Sequence, residues 1–185
     1  MSMNYPPRGF TLIETMVAIT LLAVALIGPF IAVQNSLQSS YVARDQLIAS
    51  QLAQEGIEYI RGVRDANYFA GRAWMAGISS YTTCYGAAPS GYCHIDPTRG
   101  DVHTDSPNHS AMDQYAATSS VPYLRLSTAG LYNQQASGGT VTKFKRLVRV
   151  NTLSATQVRI TVFVSWVTGN KPYTIIVTDT LHDWI

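Results

Sequence analysis

At 185 residues the chain has room for one compact domain and an appendage, since single domains usually run to about 100–150 residues. Only 13% of the residues are charged, about half the roughly 25% of a typical soluble protein, so much of the surface is polar-neutral or non-aqueous. The net charge of +2 excludes the clearly basic domain of a general nucleic-acid binder, and nucleic acid is not assigned as a partner.

The few charges are unevenly placed. Only Arg8 and Glu14 precede Arg44, and Met16 to Val33 contains no charged residue at all. At about 1.5 Å rise per residue, a helix over 10–33 is long enough to cross a bilayer. Arg8 stands just before it, so the excess of positive charge on the cytoplasmic side puts the N-terminus in the cytoplasm and the later residues outside. Glu14 is the anomaly. A carboxylate in the apolar interior costs about 2.5–3.5 kcal/mol on insertion scales, so a function and a partner are expected for it. No Lys or Arg lies within a helical turn. A cut between Gly9 and Phe10 would create an α-amino group four residues before Glu14, and that cation could meet the carboxylate of a neighbouring copy.

Gly9-Phe10-Thr11-Leu12-Ile13-Glu14, preceded by Arg8, resembles the processing motif of type IV pilins and type II secretion pseudopilins. The resemblance is close over about the first 34 residues and extends to the rest only in layout. It implies a leader over 1–9 that a prepilin peptidase/methyltransferase removes after Gly9, and N-methylation of Phe10. It also implies that Glu14 pairs with the Phe10 amine of an adjacent subunit. The partners that follow are other pilin or pseudopilin subunits, an inner-membrane assembly platform, and membrane lipid before assembly. The location that follows is a single pass through the cytoplasmic membrane, then a pilus or pseudopilus at the cell surface or in the periplasm. Two plainer readings compete. Ala23-Val24-Ala25 could serve as the cleavage site of an ordinary secretory signal, but Glu14 and the apolar run through Phe30, Ile31 and Val33 argue against it. A simple membrane anchor leaves Glu14 without a reason. Gly28-Pro29 predicts a kink or a melted turn, because proline removes a helix hydrogen bond and crowds the preceding turn.

Residues 34–66 read as an amphipathic continuation of the helix. Tyr41, Ile48, Leu52, Tyr59 and Val63 fall at spacings of seven, four, seven and four, an apolar stripe running to about Asp65, with Gly56 and Gly62 as weak points. Residues 67–142 lose this periodicity and read as loops and short irregular elements. Cys84 and Cys93 within them read as a disulfide in an oxidising compartment. His94, Asp96, Asp101, His103, Asp105 and His109 invite a metal, but their spacing matches neither a calcium loop nor a zinc pattern, and Asp-rich loops are ordinarily solvated turns. No metal and no cofactor is assigned.

Residues 143–185 alternate as strands. Phe144, Arg146, Val148 and Val150 face one way, and Lys143, Lys145, Leu147 and Arg149 the other. Val158 to Trp166 forms a second strand, Gly169-Asn170-Lys171-Pro172 a turn, and Tyr173 to Thr178 a third strand. The run of basic residues reads as a solvated edge. The fold class is therefore α+β: a long N-terminal helix, half transmembrane and half amphipathic, packed on a C-terminal antiparallel sheet, a layout shared with type IV pilin heads. No Ser/His/Asp or Cys/His grouping supports an enzyme. The function expected is a structural subunit, minor in class. The alternative is a tip-located adhesive subunit whose Tyr68, Tyr81, Tyr85, Tyr92 and Tyr115 touch a surface or partner.

Overall fold

Helix α1 (Leu12–Phe69, 58 residues) starts where the sequence first offers a cap. The computed structural model describes residues 9–99, 112–118, 121–135 and 137–183. Arg8 and the leader before it, together with Asp101, His103, Asp105 and His109, lie outside the described residues. The Thr11 hydroxyl accepts the Glu14 backbone N–H at 3.3 Å, and the Thr11 carbonyl accepts the N–H of Thr15 at 3.2 Å. Thr-x-x-Glu at the head of a helix is the spacing of a capping box, which satisfies backbone donors that have no partner within the first turn. At the other end, Gly71 N–H bonds to the Tyr68 carbonyl and Arg72 N–H to the Asn67 carbonyl, with Gly71 at φ 64°. Those two bonds form a Schellman turn, for which glycine is suited because it carries no Cβ to clash in the left-handed region. The helix thus ends at Phe69, one turn later than Asp65.

The chain forms two compact units, Met1–Arg44 and Asp45–Ile185. In the first, the helical residues leave their apolar side chains exposed, and the most apolar 18-residue window has a mean hydropathy of 2.6. Such a helix is long and apolar enough to cross a membrane. Gly28 and Pro29 are wound within α1 like their neighbours.

In the second unit, the rest of α1 packs on an antiparallel sheet. Its strands are β1 (Tyr85–Gly86), β2 (Tyr92–Ile95), β3 (Met112–Tyr115), β7 (Lys145–Ser154), β8 (Gln157–Thr168) and β9 (Lys171–His182). Among the described residues the order is β3-β2-β7-β8-β9, with the short β1 pairing in parallel with β7. A smaller sheet joins β4 (Arg125–Leu126), β5 (Tyr132–Asn133) and β6 (Thr140–Val141). The expected three-stranded meander is present as β7, β8 and β9. Residues 85–115, which read as loops, add further strands beside it, and strands of two to four residues are too short to show a period.

The turn between β8 and β9 is only Gly169 and Asn170, so Lys171 and Pro172 belong to β9, opposite Thr168 and Val167. Proline is tolerated there because β9 is an edge strand. The basic strand, in contrast, is no edge. β7 lies between β2 and β8, and Arg146 is fully buried. The expected solvated basic edge is therefore overturned: an alternating strand accepts an arginine on its inner face when the packed helix supplies a carboxylate.

The face that α1 buries holds Leu52 and Val63 of the expected stripe, with Ile48 and Tyr59 half-buried against the core, and extends beyond that stripe. Ala49, Leu52, Ala53, Gly56, Ile57, Ile60 and Val63 are buried, whereas Tyr41 is 60% exposed. Small residues occupy the centre because the helix comes close to the sheet. A Cβ on Gly56 would sit 3.2 Å from Val162 Cγ1 and 3.5 Å from Arg146 Cδ. The opposing sheet face is Val148, Val150, Val158, Ile160, Val162, Val164 and Trp166.

Candidate functional site

The residues that carry the processing motif open the first unit. Gly9 is exposed, and a Cβ on it would meet nothing within 4 Å, so among the described residues no packing calls for a glycine there. Phe10 is 82% exposed and stands ahead of the cap. Glu14 occupies the first turn of α1, where the partial positive charge of the helix N-terminus favours a carboxylate. Its apolar surroundings in the sequence point only to an intramembrane acid. The Thr11-to-Glu14 spacing was the signal for its second role, in starting the helix.

Cys84 and Cys93 are joined, with Cα atoms 5.5 Å apart. The bond is placed deeper than a loop staple. Both residues are fully buried in the core, Val150 N–H bonds to the Cys84 carbonyl at 2.7 Å, and Cys93 sits opposite Val148. It ties β2 and the turn before β1 onto the centre of the sheet.

The two described members of the His/Asp cluster, His94 and Asp96, take separate structural roles. His94, in β2, pairs through Nε2 with Asp113 of β3 at 3.2 Å and lies against the Tyr115 ring. Burial lowers the His94 pKa below its ordinary value; Asp113 and Asp96 act against that, and Arg99 and Arg146 add to it. Asp96 is fully buried and accepts from the Thr98 N–H and hydroxyl and from the Gln134 N–H. Among the described residues, no group of three or more His, Cys, Asp or Glu is placed to hold a metal ion.

Lys143, Lys145, Arg146 and Arg149 each have a partner within the head. Lys143 pairs with Asp45, which also accepts from Thr168 Oγ1 at 2.7 Å. Arg146 pairs with Glu55 and donates to the carbonyls of Leu52 at 3.2 Å and Ile95 at 2.8 Å. Lys145 lies 4.7 Å from the Tyr123 ring centroid, and Arg149 4.2 Å from that of Tyr92. Of the tyrosines proposed as contacts, Tyr81, Tyr85, Tyr92 and Tyr115 are half-buried, and Tyr68 is 56% exposed.

Residues 7–28 match the prokaryotic N-terminal methylation motif. The match, the long apolar N-terminal helix and the helix-on-sheet head define the chain as type IV pilin-like. The motif supports a subunit of the pilin or pseudopilin type and implies processing by a prepilin peptidase and assembly with other pilin subunits; with the apolar helix it points to a membrane-anchored chain. Proteins with this motif are structural subunits rather than enzymes. No curated protein and no solved structure matches the chain.

Proposed function

We propose that this chain is a minor structural subunit of a type IV pilus or a type II secretion pseudopilus. The leader is cut after Gly9, the new Phe10 amine is methylated, and α1 holds the subunit in the membrane with its head outside until assembly. The observation that carries this reading is the placement of Glu14 in the first turn of an apolar helix whose side chains are exposed, within the methylation motif.

The physical argument is electrostatic. Withdrawal of a carboxylate from water costs several kilocalories per mole unless a partner replaces the solvent. The cap and the helix dipole offset part of this, typically about 0.3–1 kcal/mol for the dipole at an exposed terminus. A neighbouring copy's Phe10 amine would supply a full charge, so neutralisation and assembly become one event. The exposed apolar helix surface would pass from lipid to neighbouring helices. Gly28 and Pro29 are the place where we expect the wound turn to open or bend on assembly.

The test is the mature N-terminus read by mass spectrometry on native material. N-methyl-Phe10 is the expected result, and a chain beginning at Ala25 or Leu26 would sink the proposal. The companion variant Glu14→Gln should still insert in the membrane but enter filaments poorly. The alternative of a tip-located, partner-binding subunit retains one observation in its favour, the exposed Tyr68 at the end of α1.

A further inference from the structure

The C-terminal end of α1, the loop after it and the end of β9 enclose a cleft of about 930 Å³. That volume lies within the roughly 300–1,000 Å³ of small-molecule sites. The loop that borders it is fixed by hydrogen bonds behind the cleft. Asn67 is fully buried, donates through Nδ2 to the carbonyls of Trp74 at 3.2 Å and Ala76 at 3.0 Å, and accepts from Arg72 Nε at 3.0 Å. The Schellman turn at Gly71 points the chain back toward those acceptors. The cleft is therefore built before any ligand arrives, which lowers the ordering cost of binding.

The lining narrows the ligand. Tyr68, Phe69 and Trp74 supply the apolar wall, and the first two rings stand 5.6 Å apart at a tilt of 59°. Phe69 is 85% exposed, so among the described residues most of its ring surface is left open. The charged lining is balanced: Arg64 and Arg72 against Asp65 and Asp183, with Arg64 bound to Asp65 at 2.8 Å. A balanced set gives a polyanion no net attraction and a polycation none either. Ring faces, rather than aliphatic walls, give no slot shaped for an acyl chain. A ligand that suits aromatic faces and also carboxylate and guanidinium edges has an apolar C–H face and neighbouring hydroxyls on its rim. Hydroxyls both donate and accept, so they can satisfy Asp and Arg together.

We propose that this cleft is a binding site for a neutral oligosaccharide, with a sugar ring stacked on Phe69 and its hydroxyls held by Asp183 and Arg72. The site is independent of the assembly reading, because none of its residues belongs to the motif or the membrane helix.

Saturation-transfer NMR on the full chain, held in micelles of a sugar-free zwitterionic detergent, tests it with cellotetraose, chitotetraose and tetragalacturonate. The expected result is transfer to the ring C–H protons of a neutral tetrasaccharide. Phe69→Ala should weaken that binding by at least about tenfold, equal to about 1.4 kcal/mol. Because Phe69 is exposed, this variant should keep its circular dichroism spectrum, while Trp74→Phe, which retains a ring, should keep most of the affinity. The proposal is overturned by no transfer to either neutral sugar, by transfer to tetragalacturonate alone, or by affinity unchanged in Phe69→Ala. It is equally overturned if binding is seen only after removal of Trp184 and Ile185, since the chain's own end would then be the occupant.

Discussion

Glu14 and His94 are both titratable groups in demanding places, and their surroundings resolve them differently. Glu14 sits where the helix terminus favours its charge, and on the proposed assembly its remaining need would be met by a neighbouring subunit. His94 is held inside the head, where Nε2 lies 3.2 Å from an Asp113 oxygen, Nδ1 is buried with no hydrogen-bond partner among the described residues, and burial disfavours the imidazolium. In the unfolded chain a histidine takes up a proton below about pH 6.5, whereas the folded ring resists it. The unfolded state therefore binds more protons in that window, and stability falls as pH drops from about 6.5 toward the lower folded value. The midpoint of thermal unfolding should decline between about pH 7 and about pH 5. His94→Phe, which keeps a ring against Tyr115, should flatten part of that decline; an identical slope in the variant would assign the effect to the carboxylates.

At the scale of elements, the two glycines in the second half of α1 separate propensity from packing. Both read alike in the sequence, as weak points in a helix. Gly62 is exposed, and a Cβ there meets nothing within 4 Å, so Gly62→Ala should raise stability by about 0.5–1 kcal/mol through helix propensity. Gly56 is buried against Val162, so Gly56→Val should overpack the helix–sheet contact and cost about 1–3 kcal/mol. Urea unfolding of the two variants beside the parent chain measures both, and effects of the same sign would contradict the packing account. The Arg146–Glu55 pair belongs to the same contact. Its carbonyl acceptors on Leu52 and Ile95 let one guanidinium join α1, β2 and β7.

For the whole molecule, the disulfide matters to the head alone. Closing a loop with a sequence separation of 9 contributes somewhat under ~3 kcal/mol on the chain-entropy model. Replacement of both Cys84 and Cys93 by Ala should lower the unfolding midpoint of the head by a corresponding amount, with the two buried sulfurs' packing lost as well. Membrane fractionation should be unchanged, because the apolar helix that inserts lies in Met1–Arg44. Loss of the chain from the membrane fraction would show that the units are coupled.

The sequence by itself determined the features that rest on local order or on composition. The apolar run, its basic flank, Gly9-Phe10 and the acid at Glu14 are read by a peptidase or a bilayer as a linear string, so no tertiary information was needed to find them. The long strands β7, β8 and β9 were legible because alternation over ten or more residues is a strong signal. Only the tertiary structure decided that Arg146 is interior, since burial of a cation depends on Glu55 some ninety positions away and not on its strand neighbours. It also decided the buried face of α1, because Ala and Gly at a close helix–sheet approach carry no hydrophobic signal of their own. The cleft beside Phe69 is of the same kind: Phe69, Trp74 and Asp183 meet there only because the Schellman turn and the end of β9 bring distant backbone to one place.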